Sequence, residues 1–312
     1  MSTTTAKPRA TRAEPGPVRS TIGPLARLEI VRLARHPVLV GGALFGLVSV
    51  VASYEEIQDD ATGDLQGLPV TALTVGLPAM VAAHLLARSF DRTDELVESA
   101  PTSRVSRTGS QCLSAVVPAA LAVVWLVLFA VAQRWLWTTP EWMYGTLSHA
   151  DLWAVVIGNT VLAAVGGTLL GVAAGRWWHF RGSSIALLLT VAVWTLTVMS
   201  VFSPVGTPEA WYRWVRLFTP VGGFNNPAPD GNGSDTLTGS PWWYLAWLVT
   251  LCALAAIAAL LKGSEGTSRR RLVRLGAAAL AASVLTYGLA AAGGNSQVVR
   301  TFPDGHSVVL TP

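Results

Sequence analysis

Charge is what this chain has least of. Only 13% of its 312 residues are Asp, Glu, Lys or Arg, against 51% hydrophobic, and mean hydropathy is +0.46. Soluble domains carry about a quarter charged residues, so a freely soluble globular fold is excluded. Cysteine is nearly absent as well. Cys112 and Cys252 both lie inside apolar runs, which argues against a disulfide framework and against a thiolate metal site. Catalytic signatures are also missing: there is no Gly-x-x-x-x-Gly-Lys-Ser/Thr loop, no His-Glu-x-x-His and no Gly-x-Ser-x-Gly. The five histidines, His36, His84, His149, His179 and His306, are scattered. The chain is therefore expected to be no enzyme and to bind no cofactor of its own. A cleavable leader is not expected either, because the first apolar run begins only at Val38 and lacks a small-residue cleavage site.

What the chain does have is long apolar runs, sufficient to cross a bilayer core as helices except the first, which is short and would extend back through Pro37 or sit tilted against its neighbours. They fall at residues 38–52, 68–87, 112–132, 152–175, 184–202, 242–261 and 275–292. The fold predicted is an all-α polytopic membrane protein of about seven transmembrane helices. Basic residues orient it. With the N-terminus cytoplasmic, eighteen of the twenty-two Lys and Arg fall on inner segments, leaving Arg134, Arg213, Arg216 and Arg300 outside. The first outer loop, with Glu55, Glu56, Asp59, Asp60 and Asp64, is wholly acidic, as suits an exterior position. Tryptophans mark the interfaces: Trp135, Trp137, Trp142, Trp242, Trp243 and Trp247 on the outer side, Trp177 and Trp178 on the inner. Two lysines against twenty arginines, with abundant alanine and valine, suit a GC-rich bacterial genome.

The segments follow in order. Residues 1–23 are rich in Thr, Pro, Arg and Ala and are predicted to be a disordered tail. Residues 24–36 place Ala26, Ile30, Leu33 and Ala34 on one helical face and Glu29, Arg32, Arg35 and His36 on another, as in a helix lying on the inner membrane surface. Residues 37–262 form a six-span core. Within it, 88–107 is a charged cytoplasmic connector and 208–218 a short outer interfacial helix. Thr207 and Pro208 start that helix; Trp211, Trp214, Val215 and Phe218 share its apolar face, and Arg213 and Arg216 leave it. The stretch 227–235 that follows reads as a loop. Residues 263–292 supply a basic inner loop and the seventh span, and 293–312 an exterior tail. In that tail two β-prone runs flank Pro303-Asp-Gly305 as in a hairpin.

Polar groups inside the spans are few, and such groups are retained there for function or packing. His84 and Asn159 are the candidate polar positions of a pathway. His84 also fits an interfacial histidine with its own partner, and Asn159 a hydrogen bond between helices. Gly42 and Gly46 in the first span, with Gly167, Gly171 and Gly175 in the fourth, have the spacing that lets two helix backbones approach closely. That approach is either internal or between subunits. The missing buried carboxylates place the energy source for any transport outside this chain.

The connector carries the most specific pattern. Asp94, Glu95 and Glu98 stand beside Leu96 and Val97, and Pro101 breaks the helix before Ser103 and Arg104. The residues alone fit either a solvated loop or a helix that docks on a soluble partner. The run Arg92-Thr-Asp-Glu-Leu-Val-Glu-Ser-Ala-Pro-Thr-Ser-Arg104 resembles the acidic-Leu-x-x-x-x-Pro-x-Ser-Arg connector of ABC-2 type permeases. The layout over residues 24–262 is similar too. The resemblance implies a permease of a bacterial ABC exporter in the inner (plasma) membrane, paired with a second permease copy or paralogue. It implies a separate cytosolic ATPase that holds ATP and Mg, and no nucleic acid. Residues 91–99 would then be the coupling helix, with Leu96 and Val97 in the ATPase cleft and Asp94, Glu95 and Glu98 on its basic rim. The seventh span and the exterior tail depart from the family. They leave open a second reading, a non-transporting anchor, sensor or assembly subunit that binds partners through its outer loops and tail.

Overall fold

In hydrocarbon a backbone must satisfy its own N–H and C=O groups, so apolar runs of this length form helices. The computed structural model of the chain describes residues 19–52, 72–92, 103–135, 141–201, 212–228 and 231–310, and is 74% helical. Helix α1 (Arg19–Ala34) turns into α2 (Pro37–Ala52) through a 52° bend. Pro37 sits at that bend, where its ring and missing N–H interrupt the helical ladder. A π-helical turn (Ala72–Gly76) leads into α3 (Leu77–Arg92), and α4 (Arg104–Leu113) continues after a short break as α5 (Val116–Trp135). Next, α6 (His149–Ile157), a second π-helical turn (Gly158–Leu162) and α7 (Ala163–Trp177) form one long rod. The helices α8 (Ser183–Val201), the short α9 (Tyr212–Arg216), α10 (Pro241–Leu261) and α11 (Gly266–Ala292) complete the bundle.

Local sequence explains the starts. Ser103 accepts from the backbone N–H of Ser106 to cap α4, and Ser148 with Asp151 forms a capping box on α6. Pro241 opens α10 in the first turn, where a missing N–H costs nothing.

Among the described residues, five helices are long and apolar enough to cross a membrane: Ala72–Ser89, Arg104–Leu128, His149–Trp177, Pro241–Leu261 and Gly266–Ala292. They become six if the bent α1–α2 pair counts as one. Of the seven predicted runs, 38–52 is thus the second limb of a bent pair, and 184–202 forms α8, with a shorter apolar stretch. The connector is narrower than predicted, since α3 continues to Arg92 and α4 begins at Arg104.

The surface helix also differs from its prediction. It starts at Arg19, and its inward face is Ala26, Glu29 and Leu33, while Leu28 and Val31 are exposed. Glu29, assigned to the polar outer face, is buried and paired with Arg32 at 3.2 Å. The reason lies in α4, on which α1 packs. Its buried side chains Ser106, Thr108, Ser110 and Gln111 are polar, so the layer that α1 covers is not purely apolar.

The glycine rows allow close helix contacts within the chain. A Cβ on Gly167 would stand 2.7 Å from the carbonyl oxygen of Gly76, one on Gly171 would collide with the Met80 carbonyl, and one on Gly175 would meet Ala87 and His84. This seam locks α7 to α3. Gly42 and Gly46 give α2 the same access to Pro78 and Thr74.

A four-stranded antiparallel sheet, in the order β1-β2-β3-β4, covers the end of the bundle where α10 begins and α11 ends. It joins β1 (Asn225–Pro227) and β2 (Ser234–Thr236) to the C-terminal hairpin β3 (Val298–Thr301) and β4 (Ser307–Leu310). The stretch 227–235 is therefore partly strand, which corrects the loop reading. Three-residue strands are too short to signal themselves; they exist because the hairpin supplies a partner edge.

Candidate functional site

Between the bundle and the sheet the backbone is irregular from Leu217 to Phe224, yet much of it is buried. Buried backbone groups need partners, and four side chains provide them. Asn159 donates from Nδ2 to the Gly222 carbonyl at 2.9 Å and accepts from the Gly222 N–H at 3.0 Å. The Tyr244 hydroxyl donates to the Thr219 carbonyl at 2.7 Å, and Trp194 Nε1 to the Phe218 carbonyl at 2.9 Å. Arg216, only 5% exposed, donates to the carbonyls of Gly223 and Thr238. Burial pulls its pKa down to about 10, which leaves it charged at neutral pH. Asn159 stands about 15 Å along its rod from His149 at 1.5 Å per residue, so the loop dips well below the sheet.

Beneath this loop lies a cavity of about 470 Å³. Its roof is Pro220 and Val221. Its walls come from α3 and the turn before it (Gly76, Met80), from the rod (Leu162, Gly166, Gly167, Leu170), from α8 (Val191, Thr195) and from α10 (Leu251, Ala255). Among the described lining side chains Thr195 carries the one hydroxyl, and none is charged. Both π-helical turns contribute lining residues. Such turns, each with an extra residue in the helical ladder, frequently mark functional sites.

Neither candidate pathway residue lines this cavity. Asn159 holds the roof from behind, bonded to loop backbone rather than to another helix. His84 is buried near the opposite end, its Nε2 at 2.9 Å from Ser183 Oγ, which also accepts from Arg88 at 2.9 Å. Arg88 further donates to the carbonyls of Phe180 and His179, so this cluster fastens the turn between α7 and α8. Asp94, Glu95, Leu96, Val97, Glu98 and Pro101 lie outside the described residues. Arg104 opens α4, and Gly263 lies so close that a Cβ there would stand 3.2 Å from its Cβ.

The outer helix is described only from Tyr212, and there Arg216 and the aromatic residues leave it in different directions. Arg216 points inward, while Trp214 and Phe218 are 41% and 49% exposed. In a bilayer the apolar face has no reason to hide, whereas loose carbonyls require a donor. Trp247, predicted as an interfacial anchor, is likewise buried, in an aromatic cluster with Tyr244, Phe218 and Tyr287. Sequence reasoning missed Tyr244, Arg216 and the loop they hold, because each pairs with backbone that carries no signal of its own. Comparison with protein-family models, with curated proteins and with solved structures finds no match to this chain.

Proposed function

We propose that the chain is the membrane permease subunit of an ATP-driven export system in a bacterial inner membrane. In this reading it pairs with a second copy or a paralogue and docks a separate cytosolic ATPase through residues 91–99. The observation that carries it is where the connector begins and ends. Arg88 reaches Phe180, Trp177 Nε1 donates to the Ala258 carbonyl at 2.9 Å, Lys262 stands 5.0 Å above the Trp177 ring, and Gly263 abuts Arg104. These contacts tie the two ends of the connector to one basic end of the bundle, the end that basic residues mark as cytoplasmic. Closure of an ATPase on such a connector would shift α3 and α4 as rigid bodies. The glycine seam would pass that shift from α3 to α7, one wall of the cavity to another.

Affinity purification of the tagged chain in mild detergent, with mass spectrometry and an ATPase assay, tests the reading. A stoichiometric ATPase is expected to co-purify, and Leu96→Asp is expected to abolish its association and stimulation while the chain stays folded in the membrane. Coupled ATPase activity at wild-type level in that variant would overturn the coupling role. The second reading, a non-transporting anchor, sensor or assembly subunit, draws on the sheet, whose last strand exposes Val308 and Val309. It gains if no ATPase is recovered under several mild conditions.

A further inference from the structure

The cavity is long and thin. Its lining on α10 runs from Leu248 to Ala258 and on the rod from Leu162 to Ala173, each about 15 Å at the α-helical rise. A volume of about 470 Å³ over that length leaves a mean section of about 30 Å² for atom centres, or about 9 Å across once atomic radii are added. An α-helix, about 10–12 Å across with its side chains, does not fit. An extended peptide fits no better: its N–H and C=O groups would face walls with a single hydroxyl, at about 1–3 kcal/mol for each buried group left unpaired. An ion or a sugar meets the same lack of polar partners. The length is instead about half of the ~30 Å hydrocarbon core of a bilayer, the depth of one leaflet. The mouth also suits a hydrocarbon, since Leu170 is both a lining residue and partly exposed on the flank of the bundle that would face lipid.

From these dimensions and this lining we infer that the cavity is a binding site for one long hydrocarbon chain, taken laterally from the membrane. Extended along α10 and the rod, the chain would end under Pro220 and Val221. The roof held by Asn159 and Tyr244 fixes how far it can enter. The volume of about 470 Å³ lies within the ~300–1,000 Å³ of ordinary small-molecule sites. The inference rests on the cavity alone and is independent of any ATPase.

Native mass spectrometry of the full chain in delipidating detergent tests it, with palmitic acid in one arm and palmitoyl-oleoyl phosphatidylglycerol in the other. A one-to-one adduct is expected in at least one arm, and the arm that shows it tells a free fatty acid from a phospholipid. Ala255→Phe should fill the cavity and reduce the adduct at least tenfold, while Val249→Phe, on the exposed face of the same helix, should leave it unchanged. Should Ala255→Phe fail to fold, Ala163→Leu on the opposite wall makes the same test. No adduct in either arm, or an adduct equally strong in the filled variants, would overturn the inference. Leu96→Asp should keep the adduct, so failure of the ATPase reading and failure of this one are told apart.

Discussion

Asn159 commits both ends of its amide to one glycine, accepting from the Gly222 N–H and donating to its carbonyl. Asn159→Leu would leave a buried N–H and a buried C=O unpaired, at about 1–3 kcal/mol each. Its unfolding midpoint in detergent is expected to fall by several degrees, and an unchanged midpoint would show that the loop is held elsewhere. The glycines offer a sharper contrast. Gly171→Ala places a methyl group against the Met80 carbonyl, where only backbone could give way, whereas a Cβ on Gly41 meets nothing within 4 Å. Thermal unfolding of the two variants side by side should show Gly171→Ala clearly destabilised and Gly41→Ala near wild type or slightly above it, since alanine is the better helix former by about 1 kcal/mol.

At the scale of elements, the C-terminal hairpin is part of the fold rather than an appendage. Strand β3 pairs with β2, and Arg300 holds Asp235 in a two-pronged pair, Nε to Oδ1 at 2.7 Å and Nη2 to Oδ2 at 2.9 Å. Asp235 is 5% exposed, so removing the arginine strands a buried carboxylate, a loss of about 3–5 kcal/mol for such pairs. Arg300→Met should therefore open the sheet to limited proteolysis between residues 225 and 236. Adding Asp235→Leu should restore protection, because the pair is then replaced by apolar groups; no restoration would place the damage in lost packing instead. Removal of residues 298–312 is consequently a poor way to separate an exporter from a non-transporting module. It would dismantle the sheet in both.

The whole molecule has two unlike ends. One gathers Arg88, Trp177, Lys262 and the start of α4; the other carries the sheet and the buried Arg216. With Cys112 and Cys252 replaced by serine, a single cysteine reports the side of each end. Ser307→Cys is expected to react with a membrane-impermeant maleimide on intact cells, and Ser268→Cys only after permeabilisation. The reverse pattern would invert the orientation and place the connector away from any cytosolic ATPase.

Several features were legible in the residues alone because they rest on local rules. Run length and missing charge determined a helical membrane protein, the spacing of Gly167, Gly171 and Gly175 marked a close helix contact, and Pro303-Asp-Gly305 marked the terminal turn. Tertiary structure decided the rest, because it depends on which backbone lies beside which side chain. It turned Glu29, Arg216 and Trp247 inward, gave 227–235 its strands by offering β3 as a partner, and chose Gly222 and Ser183 as the partners of Asn159 and His84. The cavity is the clearest case. Its lining residues read as ordinary span-filling leucine, alanine and glycine, and only the bent and interrupted helices that keep them apart leave space between them.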